Sequence, residues 1–305
     1  MTNNRGAKPM ISGTLAGAMR RTVIATSVVL ASSFAALAAD DVPEIPRQKW
    51  TFSGMFGHYD QGQLQRGLQV YREVCASCHA MRLLKFRNLN EPGGPALPEA
   101  AVKELAKQAK YPEINDNGKT IEREGKPSDP LPSPFKNNQE ARSANNGALP
   151  PDFSVIAKAR SAAVHIAWYA EPVQWAKDIV TGYQEGGADY IYSLLTGYKD
   201  QPPAGMKNAD GTAFKLADGM YYNAMYAGHQ IGMPAPLSEG VVKYTDGTKA
   251  SVENYARDVS AFLMWGAEPK LDQRKRTGFQ VLIYLGVTAL LLWLAKRRLW
   301  ARLEH

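Results

Sequence analysis

Apolar residues recur at helical spacing in parts of this chain and gather into unbroken runs in two others. Leu64, Leu68, Tyr71, Cys75 and Cys78 fall at i, i+4, i+7, i+11 and i+14, which predicts one helix with a single apolar stripe. Val252, Tyr255, Val259 and Phe262 repeat the spacing and predict a second helix over 252–265. Gly67 lies inside the first. Glycine costs a helix about 1 kcal/mol against alanine, so its presence predicts a close approach by another helix, and 252–265 is the expected partner. Between Arg160 and Gly186, Ile166, Tyr169, Val173 and Ile179 predict a short amphipathic helix broken by Pro172.

The two apolar runs stand at opposite ends. Arg20 and Arg21 precede Thr22–Ala39, which is uncharged, ends at Asp40 and Asp41, and carries the small-residue pattern Ala36-Leu37-Ala38. This predicts a secretory signal peptide over 1–39. Gly278–Ala295 also lacks charge; at about 1.5 Å per residue its length is about that of a hydrocarbon core. Arg274, Lys275 and Arg276 stand before it, and Lys296, Arg297, Arg298 and Arg302 follow. A buried core helix would not be bracketed by basic clusters, so 278–295 is expected to be a transmembrane anchor. Basic residues on both sides silence the positive-inside rule. The leader sets the orientation instead: a periplasmic body over 40–277 and a cytoplasmic tail over 296–305, in a bacterial inner membrane. Mean hydropathy is only −0.33, so the rest is no polytopic membrane protein.

Charge adds little. The net +7 resides in the leader and the tail; residues 40–295 hold as many basic as acidic residues, which excludes the basic footprint of nucleic-acid binding. The two cysteines change the picture more. They lie in Cys75-Ala76-Ser77-Cys78-His79, the C-x-x-C-H pattern of c-type haem attachment. Two thiols on one helical turn reach the two vinyl groups of one porphyrin edge, and the adjacent imidazole becomes the proximal iron ligand. A thioredoxin-like pair gives no reason for His79, and a zinc site needs two more ligands. One covalent haem c is therefore expected. A crossing of first and last helices, as the periodicity predicts, is what one-haem c-type folds use.

For the sixth iron position, Met233 lies in the Gly- and Pro-rich stretch GHQIGMPAPL, where Pro234 and Pro236 fix φ and can hold a sulfur rigidly. Met225 and His229 compete locally. A thioether ligand would raise the haem potential.

At this point the chain resembles the cytochrome c1 family, the haem-c subunit of quinol–cytochrome c reductase (bc1), over most of residues 50–300. The segments that carry the resemblance are RGLQVYREVCASCHAM (66–81), EARSANNGALPPDFSVIAKAR (140–160), DYIYSLLTGY (189–198), IGMPAPL (231–237) and FLMWGAEPKLDQRKRTG (262–278). The resemblance implies a mostly α fold: a class I cytochrome c core with loop insertions, plus one C-terminal transmembrane helix. It implies Met233 as axial ligand opposite His79, and Asn145, Ala148, Pro151, Arg160 and Tyr190 as pocket residues, with Arg160 toward a haem propionate. It implies cytochrome b and the Rieske iron–sulfur protein as partners, a soluble or membrane-anchored cytochrome c as acceptor, and contact with membrane lipid. It implies no bond-making chemistry in the chain itself, whose part in the reductase is electron transfer. Two other readings compete: a stand-alone membrane-anchored cytochrome, and a haem enzyme with an open iron position. The insert at about 162–185 departs from the mitochondrial pattern.

Overall fold

The structure, a computed structural model, describes residues 43–161, 169–208 and 211–301. The leader expected over 1–39, the insert residues His165, Ile166 and Trp168, and residues 302–305 of the tail lie outside these. Among the described residues helices dominate: α1 Gln61–Glu73, α2 Glu99–Lys107, α3 Asn138–Ala144, α4 Ile156–Ala159, α5 Glu171–Thr181, α6 Gly186–Thr196, α7 Val252–Ala267 and α8 Leu271–Trp300. Strands are few. β1 Lys110–Ile114 pairs antiparallel with β2 Thr120–Glu124, and β3 Tyr221–Tyr222 pairs antiparallel with β4 Gln230–Ile231. The mostly helical class is the one expected.

The core is built where α7 crosses α1. Asp60 starts α1 by accepting from the Gln63 amide (2.6 Å), and Ser251 caps α7 from its own side chain. Leu64, Leu68, Val70 and Tyr71 of α1 meet a helix that is buried nearly all round, from Tyr255 to Trp265. Gly67 is the contact point: a Cβ there would stand 2.1 Å from the Asp258 carbonyl oxygen and 2.6 Å from Phe262 Cβ. Beside it Arg66 grips the buried Asp258 through Nε (2.8 Å) and Nη2 (3.3 Å), and Tyr244 donates to the same carboxylate (2.8 Å). A buried carboxylate is tolerable only when paired in this way. A second close approach joins α4 to α6, where a Cβ on Gly187 would overlap the Ala157 carbonyl. Asp189 of α6, fully buried, accepts from Trp50 Nε1 and the Tyr183 hydroxyl, 2.7 Å each, which fixes the segment around Trp50 to this helix.

Three details differ from the periodic reading. The stripe runs through Tyr71 but α1 ends at Glu73; Cys75–Ser77 form a 3₁₀ turn and Cys78 leaves it. Of the expected insert helix, Ile166 lies outside the described residues, Tyr169 lies in a turn, and α5 starts at Glu171, next to Pro172. Pro172 occupies the first turn of α5, where its missing amide is no loss. Helix α8 begins seven residues before the apolar run and continues past it, and Gly278–Ala295 within it is exposed along its length. By length and composition it is the one helix among the described residues able to cross a membrane.

Candidate functional site

His79 follows the 3₁₀ turn after α1, with its ring buried and its Nδ1 2.9 Å from the Pro151 carbonyl. A carbonyl only accepts, so Nδ1 carries the proton and Nε2 keeps its lone pair. Burial lowers the imidazole pKa against the opposing pull of the Pro151 bond and Asp152, which keeps the ring neutral. A neutral imidazole with one nitrogen oriented by a carbonyl is the form an iron ligand requires. Phe153 stacks on the ring at 3.9 Å and 15°, and the Tyr71 hydroxyl donates to the His79 carbonyl at 3.1 Å. Cys75 and Cys78 are half-buried and are not joined in a disulfide. Burial, with Cys78 adding to it, pushes the Cys75 thiol up to about 12, opposite to the lowered value that a thioredoxin-like pair needs.

The segment that receives His79 is laced to the residues following it. Phe153 donates its amide to the Ala80 carbonyl (2.7 Å), the Arg82 amide to Asp152 (3.1 Å) and the Leu83 amide to the Ser154 hydroxyl (3.0 Å). Asp152, Phe153 and Ser154 were not among the expected site residues. Their signal was present in PPDFS, two prolines followed by side chains that favour turns.

The other expected residues fall around this pair of segments. Asn145 ends α3 with its side chain donating to the Ala141 carbonyl (2.7 Å). Asn146 (φ 51°) and Gly147 (φ 86°) then turn the chain through the left-handed region toward the exposed Ala148 and on to Pro151. A Cβ on Gly232 would lie 3.9 Å from the Ala148 Cβ, so the loop bearing Met233 sits beside the segment that holds His79. Met233 is half-buried and its carbonyl accepts from the Tyr198 hydroxyl at 3.0 Å. Tyr190 is half-buried; burial raises its hydroxyl pKa, Tyr226 adds to this and the Arg160 guanidinium opposes it, which places all three within electrostatic reach. Arg160 is exposed at the end of α4 and has no carboxylate partner among the described residues.

The competitors of Met233 have their own surroundings. Met225 lies against the end of α6, its Cγ 2.9 Å from where a Gly197 Cβ would stand. The His229 ring lies along Tyr222 at 5.9 Å. The fully buried Asn223 supports this region by donating to the Leu194 carbonyl (2.8 Å) and accepting from the Met225 amide (2.9 Å).

Comparison with known proteins gives the site a lineage. The model of the Cytochrome C1 family matches residues 50–303. The chain is 43% identical to "Cytochrome c1" of Blastochloris viridis over 88% of this chain and 90% of that protein. It is 36% identical to the "Cytochrome b-c1 complex catalytic subunit, mitochondrial" of Candida albicans over 97% of this chain and 92% of that one. It is 45% identical over 92% of its length to "Cytochrome b/c1" of Bradyrhizobium diazoefficiens, of which it spans only 39%. The CxxCH pair, the oriented histidine beside it and a family match over almost the whole described chain agree: the chain belongs to the cytochrome c1 family of membrane-anchored, haem-c electron-transfer proteins.

Proposed function

We propose that the chain holds its haem c through Cys75 and Cys78, with His79 and Met233 as axial ligands, on the periplasmic side of a bacterial inner membrane. There it takes single electrons from a Rieske iron–sulfur protein and gives them to a cytochrome c, soluble or membrane-anchored, in a complex with cytochrome b. The observation that carries the reading is the Nδ1–H bond from His79 to Pro151, which leaves Nε2 unprotonated and held in place. When bound, the haem supplies reversible one-electron exchange at its iron. The chain's residues do the rest. Pro151 and Phe153 hold the imidazole, Tyr198 holds the Met233 loop by its backbone, and Arg160, without a carboxylate partner among the described residues, offers its guanidinium to a propionate, helped by Asn145, Ala148 and Tyr190 around the rim. Relatives named "Cytochrome b/c1" and "Cytochrome b-c1 complex catalytic subunit" support cytochrome b as a partner.

Met233→Leu in the purified complex tests the assignment. The haem stays attached because Cys75, Cys78 and His79 are untouched. The potential falls by on the order of 0.1 V, CO binds the ferrous form, and quinol oxidation stops while the complex still assembles. An unchanged potential in a protein closed to CO would move the ligand to Met225. Failure of cytochrome b to co-purify would favour the stand-alone carrier.

A further inference from the structure

Helix α5 of the insert wears its apolar side outward. At about 100° per residue, Val173, Trp175, Ala176, Ile179 and Val180 fill one continuous arc of about 160°, while Gln174, Lys177, Asp178 and Thr181 fill the other. The half-buried edge of the polar arc, Gln174 and Asp178, turns toward the body: Asp178 accepts from Arg47 Nη2 (3.0 Å) and, within α5, from Gln174 Nε2 (2.8 Å), and the Arg47 guanidinium lies 3.7 Å above the Tyr183 ring; Lys177 and Thr181 are exposed. The apolar arc is uncovered, with Val173, Trp175, Ile179 and Val180 between 64% and 82% exposed. A helix that ties itself to its own protein through Asp178 and leaves four large apolar residues uncovered calls for an apolar neighbour.

The neighbour is indicated by where α5 ends. Gly182 closes it in the left-handed conformation, and a Cβ there would stand 3.3 Å from the Gly54 carbonyl carbon and the Met55 amide. The exposed Met55 and Phe56 extend the patch. Phe56 packs edge-on against Phe279 at 5.4 Å, inside the apolar run of α8. The same loop receives Lys275 Nζ on the carbonyls of Phe52 (2.5 Å) and Gly57 (3.3 Å), and Arg274 Nη2 reaches Gln184 just beyond α5 (2.6 Å). The patch is thus continuous with the point where α8 enters the bilayer. Tryptophan and a basic cluster are also what the headgroup region favours.

We propose that α5 is an interfacial helix, lying in the leaflet that the haem domain faces, with Val173, Trp175, Ile179 and Val180 among the lipid headgroups and Met55 and Phe56 continuing the contact to α8. The proposal goes beyond electron transfer and rests on α8 spanning the membrane.

The test uses the full-length, haem-loaded chain in its complex, in nanodiscs of phosphatidylcholine and phosphatidylglycerol. A nitroxide is placed singly at Ile179→Cys, at Lys177→Cys on the other side of α5, and at Leu290→Cys within α8. Collision with oxygen and with a neutral nickel chelate reports lipid against water. The expected oxygen-to-nickel ratio at position 179 is about threefold or more above that at 177 and approaches that at 290. Val173→Cys repeats the measurement on the same face. Equal ratios at 177 and 179 would leave the face in water and overturn the proposal. Low access of both reagents to 179 would mean that a protein covers the face and would equally overturn it. A water-like ratio at 290 would remove the span on which the proposal rests.

Discussion

A single backbone carbonyl, that of Pro151, decides which nitrogen of His79 faces outward. Pro151 was legible only through the family resemblance, and as a lining residue; its role as proton acceptor needed the fold, because 72 residues separate the pair. The same holds at Tyr198, whose segment carried the resemblance without a role. Its hydroxyl is kept protonated by burial, with Asn223 opposing, and donates to the Met233 carbonyl. Tyr198→Phe keeps the ring and deletes the bond, leaving that carbonyl unpaired at a cost of about 1–2 kcal/mol. The expected results are a melting temperature lowered by a few degrees and a weakened long-wavelength band of the ferric haem, read on the full-length holoprotein. An unchanged band would separate Tyr198 from the proposed iron ligand.

At the scale of elements, periodicity found α1 and α7 and the glycine between them because a crossing leaves a pattern in both partners. Gly67→Ala drives a Cβ into the Asp258 carbonyl, backbone that cannot rotate away, and should cost about 2 kcal/mol or more. Gly62→Ala in the same helix, 3.5 Å from its nearest neighbour, should cost nothing and gain up to about 1 kcal/mol. Thermal denaturation of the two variants compares them; equal effects would dissolve the close approach. The β1–β2 hairpin had its own sequence signal, Asn117-Gly118 between the strands, a dipeptide suited to a tight left-handed turn. What spacing could not show is charge shared between elements. Glu268, after α7, lies 2.5 Å from Lys158 Nζ of α4 as an ion pair, and accepts a hydrogen bond from Arg274 of α8. Burial pushes its pKa up, but Lys158 and Arg274 outweigh burial and hold it below the ordinary glutamate value. A depressed pKa gives stability that is present above that ordinary value and is lost as pH falls through the folded one. Acid unfolding below about pH 4.5 should therefore be steeper in the natural chain than in Glu268→Gln. Identical acid profiles would contradict the pairing.

For the whole molecule, the apolar run of α8 was the plainest signal in the sequence, since a bilayer selects on length and absence of charge alone. Ending the chain at Thr277 should release a haem-stained body into the soluble fraction after washing without detergent. One interfacial helix binds reversibly, whereas a span does not. Retention in the pellet would place the main hold on the membrane outside α8. The insert was less legible because its pattern is inverted: the sequence marks an apolar face, and only the fold reveals that this face looks away from the core.

Between Ala267 and Leu271 there are three residues, and every element around them is braced. Leu271 is fully buried, Lys270 pairs with Glu91 (2.8 Å), Asp272 accepts from the Tyr59 amide (3.3 Å), and Lys275 is clasped by the 52–57 loop. A leash of disordered residues would let its cargo roam a radius that grows with the square root of its length. This link is a mast. With α8 across the membrane, as proposed, so short and braced a link leaves the haem-bearing body little reach of its own. Under the proposed function, a body held this closely predicts that throughput follows how often its partners arrive: their concentration at the surface, and ionic strength where charge guides the encounter.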